Sequence, residues 1–155
     1  MPAALREYRP DDLPAVIEIY RDAVKSIAPS AYTPAQVDAW AAFAEQGDEL
    51  AAMLAQGYRL VVESQAGLEA FAVLDPPDHI ALLYCRARAS RQGHATRLLH
   101  ALETEAARRG IPRLHTAASL ISHPFFLRHG YTVDNAERVE RDGIDFDRYR
   151  MSKHL

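Results

Sequence analysis

Three strand-like segments crowd into residues 58–85 of this chain, with only turns between them. Tyr58 to Ser64 (YRLVVES) and Leu68 to Asp75 (LEAFAVLD) flank Ala66-Gly67, a pair suited to a hairpin. Pro76-Pro77-Asp78 is a turn sequence, and His79 to Cys85 (HIALLYC) follows at once. Strands this close in sequence pair antiparallel, because a parallel pair needs a crossover of about a dozen residues or more. Helical patterns lie on both sides of the block. The chain is therefore expected to be α/β with a mixed sheet, not a uniform βαβ series. HIALLYC is apolar almost throughout and is expected to be buried on both faces.

Periodicity supplies the other elements. Leu5 to Arg9 alternates apolar and charged residues, as a strand does. Leu13, Val16, Ile17, Tyr20 and Val24 fall at helical spacing behind Pro10, Asp11 and Asp12, and Pro29 breaks the run. Thr33-Pro34 reads as an N-cap followed by proline at the first helical position. Val37, Trp40, Ala41 and Ala44 make the stripe behind it, which favours the core for Trp40 over the alternative of an aromatic pocket with Tyr32, Tyr20 and Phe43, and leaves Tyr32 open. Gly47-Asp48 opens a short helix with Leu50, Met53 and Leu54. After the third strand, Ala95, Leu98, Leu99, Leu102 and Ala106 mark a helix from near Gln92 to a glycine cap at Gly110. Arg113 to Ser119 is a short strand. Ser122 then caps a helix with Pro124 in its first turn, running to Gly130. Strands from Tyr131 and Ile144 meet at Asp142-Gly143. The order, with the early helices grouped as one region, is β-α-α-β-β-β-α-β-α-β-β.

No repeat or linker divides the 155 residues, and that length suits a single domain over 1–155. Eighteen basic and 21 acidic residues leave a net charge of −3, which gives DNA no bulk attraction. No apolar run approaches the roughly 20 residues of a spanning helix, and the first residues have no secretory apolar region. No membrane partner and a cytoplasmic location are expected. Cys85 is the only cysteine, so an internal disulfide and a thiolate metal cage are both out. No HExxH or other i, i+4 histidine pair exists, so no metal is expected.

The chemistry concentrates after HIALLYC, in RARA-SRQGHAT-RLLHALE. Gly93 sits where the chain turns into a helix, and Arg91, Gln92, Gly93, His94, Ala95 and Thr96 would offer unpaired N–H groups there. Donors and dipole together bind phosphate. Arg86, Arg88 and Arg91 add positive charge beside it. An ordinary strand-to-helix loop with surface arginines fits the same residues.

Ser90-Arg91-Gln92-Gly93-His94-Ala95 resembles the Gln/Arg-x-x-Gly-x-Gly/Ala signature of the GNAT N-acetyltransferases. The stretch from Thr116 to Tyr131, TAASLISHPFFLRHGY, is similar to that family's strand-helix segment ending in FYxxxGF. The element order matches too, so the resemblance spans nearly the whole chain. The Ala-Ser-x-x-x-x-Pro-Phe-Phe form is most similar to the bacterial YafP-like branch. The resemblance implies the GNAT fold, acetyl-CoA as co-substrate without a metal, and transfer to a primary amine by direct attack in a ternary complex. It implies a pantetheine arm on Leu83, Tyr84 and Cys85, and a pyrophosphate on the amides from Arg91 to Thr96. Ser119 and Phe126 would lie beside the cofactor.

Two positions depart from the family pattern. Ser90 replaces the first Gln or Arg, which backbone binding tolerates. Phe126 stands where many members carry a tyrosine that protonates the leaving thiolate, so Tyr84, Tyr131 or a water would take that role. The acceptor amine must be neutral to attack, and a histidine base suits that. His79 occupies the place where several members have Glu or His, with Glu63 and Glu69 as alternatives. By the period of two, His79, Ala81, Leu83 and Cys85 are expected on one strand face. A small-molecule amine is the expected acceptor, and a homodimer is compatible with the chain. A non-catalytic acyl-CoA sensor on the same fold, or acetylation of a protein or aminoacyl-tRNA amine, stands as the alternative.

Overall fold

The computed structural model describes residues 2–45 and 48–155. The Gly47 opening of the third helix lies outside them. Seven strands form one sheet in the order β1-β2-β3-β4-β5-β7-β6. These are β1 (Ala4–Glu7), β2 (Tyr58–Ser64), β3 (Gly67–Leu74), β4 (His79–Cys85), β5 (Arg113–Ser119), β6 (Thr132–Arg141) and β7 (Ile144–His154). All pairs are antiparallel except β4 with β5. Among the described residues the α-helices are α1 (Leu13–Ile27), α2 (Pro34–Glu45), α3 (Asp48–Leu54), α4 (His94–Arg108) and α5 (His123–Arg128). None of them is long and apolar enough to cross a membrane.

Local chemistry explains several boundaries. Thr33 and Gln36 form a reciprocal cap on α2: the Gln36 N–H donates to Thr33 Oγ1 at 3.2 Å, and the Thr33 N–H to Gln36 Oε1 at 2.9 Å. Asp142 and Gly143, both at positive φ, turn β6 into β7. Ser122 precedes α5 but does not cap it. Its hydroxyl instead accepts the N–H of Ser119 at 3.0 Å, and Ser119 Oγ accepts the N–H of Ser122 at 3.0 Å. That reciprocal pair fixes the exit of β5 against the start of α5.

The sheet separates two apolar clusters. Val61, Phe71 and Val73 face α1 and α2, where Ile19, Tyr20 and Val24 meet them. Leu60, Val62, Ala70, Ala72 and Leu74 face the other way, toward Leu98, Leu99, Leu102 and Ala106 of α4. Covered by helices on both sides, β3 is the strand buried along nearly its whole length. The expectation that β4 would be so buried is wrong: only Ile80 and Leu82 are buried, and the other five residues are partly open. The apolar composition of β4 serves an opening instead of a closed interior.

Candidate active site

The opening begins where β4 leaves β5. The two strands pair only through His79 with His115 and Ile80 with Thr116, and beyond Ile80 they diverge. On its other side β4 stays on β3 as far as Cys85. Val73 faces Leu82 and Leu74 faces Ile80, so Ala81 is an extra residue, a β-bulge. The bulge resets the alternation of side chains. Leu82 and Tyr84 pack with the α1 cluster, while Ile80, Leu83 and Cys85 pack with the α4 cluster. His79, Ala81, Leu83 and Cys85 therefore do not share one face, because Ala81 packs toward α1.

The backbone alternates likewise. The Arg86 N–H donates to Glu69 O on β3 at 2.8 Å. Counting back by two, Tyr84 and Leu82 turn their N–H and C=O groups to β3, and Leu83 and Cys85 turn theirs into the gap. Tyr84 lines the gap through its side chain, not its amide.

Beyond β4, a 3-10 turn (Ala87–Ala89) leads to a loop with Arg91 at φ 64° and Gly93 at φ 84°. A side chain at Gly93 would meet nothing within 4 Å, so glycine is required there by conformation and not by crowding. The first intrahelical bond of α4 runs from Arg97 N–H to Gly93 O. Among the described residues, the N–H groups of Arg91, Gln92, Gly93, His94, Ala95 and Thr96 donate to no protein acceptor. They form the unpaired end of a 15-residue helix.

The arginines divide differently from expectation. Arg86 Nε donates to Leu68 O at 2.7 Å and its Nη2 reaches Glu18 at 3.5 Å. Arg88 grips the buried Glu69 carboxylate, Nη2 to Oε1 at 2.6 Å and Nε to Oε2 at 3.2 Å. Both are committed to structural partners, and for Arg88 the reason is that the buried Glu69 carboxylate would be costly without a cation. Of the three, Arg91 on the loop is the one without an ion pair or side-chain hydrogen bond among the described residues. Thr96 hydroxyl and His129 Nε2 meet at 3.2 Å beside it, tying the start of α4 to the end of α5.

A cavity of about 630 Å³ passes through the gap. It is lined by Ala95 and Phe126 on the α4–α5 side, by Leu83, Cys85 and Ser119 in the gap, and by Tyr20, Trp40 and Phe43 on the α1–α2 side. Trp40 packs half-buried against the α1 cluster, as a core residue would, and also faces the cavity. Its indole N–H donates to the Tyr84 hydroxyl at 3.2 Å, while Tyr20 OH donates to the Trp40 carbonyl at 3.0 Å. Tyr32 OH accepts the Leu120 N–H at 2.9 Å, bracing the chain just after β5. These hydroxyl contacts join residues 44 and 88 positions apart, and no local pattern announces them.

His79 lines the same cavity, half-buried. Burial, followed by the charge of Arg150, lowers its pKa below the ordinary 6.5, so the ring is neutral near pH 7. Glu63 and Glu69 do not line the cavity. Glu63 is ion-paired to Arg6 at 3.1 Å, and Arg88 holds Glu69 below its usual range. Tyr131 is also elsewhere: buried behind Phe126, it donates to Glu103 on α4 at 2.9 Å. Tyr84 remains as the cavity phenol nearest the gap by sequence, and burial raises its pKa so that it keeps its proton. Burial raises the Cys85 thiol to about 11, which rules out a standing thiolate at neutral pH.

The mixed sheet is thus split between its fourth and fifth strands, with free helix-start amides beside the split. The model of the acetyltransferase (GNAT) domain matches residues 28–153, and the chain belongs to that family of acetyltransferases. A GCN5-related N-acetyltransferase from Rhodopseudomonas palustris is 30% identical with a TM-score of 0.96, covering 100% of this chain and 97% of that one. The uncharacterized N-acetyltransferase YafP of Escherichia coli (strain K12) is 28% identical over 151 residues, 95% of this chain and 93% of YafP. The PaiA N-acetyltransferase of Thermoplasma acidophilum, solved in complex with coenzyme A, shares the fold at a TM-score of 0.79 and 17% identity, with 100% of both chains covered.

Proposed function

We propose that this acetyltransferase takes acetyl-CoA as co-substrate and delivers the acetyl group to a primary amine of a small molecule, both bound at once. The observation that carries the reading is the single cavity running through the β4–β5 gap from the α4 amides to the α1–α2 wall. Its volume falls in the usual range of small-ligand sites.

The chain's groups divide the work as follows. Leu83 and Cys85 offer strand-edge donors and acceptors to the amide-bearing pantetheine arm, as a β-strand would to a partner. The amides of Arg91 to Thr96, with the Arg91 side chain, hold the pyrophosphate. Ser119 and Phe126 flank the arm from β5 and α5. A gap-facing N–H of β4 polarises the thioester carbonyl, which weakens the C–S bond at the moment the amine attacks. His79 accepts the amine proton as the C–N bond forms. The C–S bond breaks, and the sulfur leaves with its electron pair. Tyr84, protonated and inside the cavity, supplies the proton that Phe126 lacks.

Calorimetry with acetyl-CoA and desulfo-CoA, followed by free-thiol release across a panel of primary amines, tests this. Binding of both ligands with amine-dependent thiol release is expected. Silence with both ligands would remove the reading. Tight binding with no turnover of any amine would move it to the sensor alternative.

A further inference from the structure

The acceptor half of the cavity contains one cation that has no ion pair among the described residues. Asp147 on its wall is paired to Arg138 at 3.0 Å, and Arg148 is paired to Glu137. Asp75 also lines the cavity without an ion pair, but it stands at the His79 end of β4, where its N–H bonds to His79 O. Arg141, at the end of β6, also lines the cavity, and among the described residues it has no ion pair and donates no side-chain hydrogen bond. Arg141 also borders a smaller cleft beside Phe43 together with Glu49 and Asp142, but neither carboxylate is within ion-pair distance of it. The free charge facing the acceptor is therefore positive.

An apolar path leads from that charge to the gap. The Arg141 guanidinium lies 5.8 Å from the Phe43 ring centre. Phe43 and Tyr20 are 5.6 Å apart, and Tyr20 and Tyr84 are 4.7 Å apart. Burial raises the phenols of Tyr20 and Tyr84, and Arg141 pulls both back, so its field reaches the β4 end of this row.

We propose that the preferred acceptor is a primary amine with a flat or otherwise apolar body that ends in an anion such as a carboxylate. Arg141 receives the anionic end, the rings of Phe43, Tyr20 and Tyr84 line the body, and the amine points to β4. This rests on the acetyl-transfer reading above. The same unpaired cation disfavours diamines and polyamines, whose second ammonium would meet it without a carboxylate to neutralise either charge.

Three probes with one spacer test the idea: 4-(aminomethyl)benzoate, 4-methylbenzylamine and 1,4-bis(aminomethyl)benzene. Their Kd values are measured by calorimetry on protein saturated with CoA, and kcat/KM is measured with acetyl-CoA. A charge-assisted contact at this exposed rim corresponds to a preference of up to about tenfold. The benzoate is expected to bind better than the methyl compound, by up to about tenfold, and the diamine worse than both. Arg141→Ala should bring the benzoate-to-methyl ratio near one, Arg141→Lys should keep most of it, and Arg141→Glu should rank the diamine above the benzoate. Unchanged melting temperatures certify that the variants fold. A wild-type ratio near one, or a ratio that Arg141→Ala and Arg141→Glu leave intact, overturns the assignment. The Kd arm judges Arg141 even without turnover, whereas failure of acetyl-CoA itself to bind strikes the transferase reading.

Discussion

Amide exchange at Leu83, Tyr84 and Cys85 probes the gap directly, with acetyl-CoA as the perturbation. The Tyr84 N–H lies in the ladder with Phe71 of β3, a strand covered on both faces. Its exchange requires an opening close to global unfolding, about 5–15 kcal/mol for a domain of this kind. That slows exchange by about 10⁴-fold or more, since each 1.4 kcal/mol is tenfold. The N–H groups of Leu83 and Cys85 face the gap, where pairing to β5 has already stopped. Without ligand they should exchange at least about 10³-fold faster than Tyr84, because no ladder bond has to break. Acetyl-CoA at 100 times its Kd adds about 2.7 kcal/mol, so both should slow by about 100-fold. Residue-resolved exchange on labelled protein, with and without acetyl-CoA, reads all three sites. Equal protection at 83, 84 and 85 in the free protein would refute the register argument. A ligand that binds but leaves Leu83 and Cys85 unchanged would refute their role in holding the arm.

The remaining tests address the loop and the base. Gly93→Ala puts a β-carbon on a residue at φ 84° with nothing to contact, so it should cost about 1 kcal/mol, a few degrees of Tm in a chain this size, and weaken acetyl-CoA binding. An unchanged Tm and Kd would show that the left-handed turn is dispensable. Arg88→Ala should lower Tm and leave the acetyl-CoA Kd within about twofold, while Arg91→Ala should weaken binding, most at low salt, with little change in Tm; the reverse pattern would return Arg88 to the phosphate loop. For His79, kcat/KM should rise with pH and level off at a midpoint below 6.5, and His79→Ala should abolish that limb. The folded state holds this proton less tightly than the unfolded state, so stability present above pH 6.5 declines as pH falls through the lowered value. His79→Ala should remove that part of the acid sensitivity, and an unaltered pH–rate profile would end its candidacy as base.

What could be read before the fold was known, and what could not, follows the range of the interactions. The α2 cap rests on Thr33 and Gln36, three residues apart, and the β6–β7 turn on Asp142-Gly143, so both were legible. The free amides at 91–96 were legible for the same reason, since Gly93 and the helix behind it are contiguous. The Ala81 bulge was not, because in HIALLYC nearly every position is apolar and a slip of one residue changes nothing in the pattern. With the bulge missed, the wrong residues share a face and the strand looks doubly buried. The arginines failed for a different reason: Arg88 finds Glu69 at 19 positions and Arg86 finds Glu18 at 68, so neither commitment leaves a local trace. Arg141 ends a hairpin strand of ordinary exposed charges, and only the fold of β6 and β7 toward α2, seen in the bond from Gln36 Nε2 to Asp145 O at 2.8 Å, brings it to the cavity. In the proposed reading, cofactor recognition is built from contiguous backbone and acceptor recognition from distant side chains, so a single sequence reveals the first far better than the second.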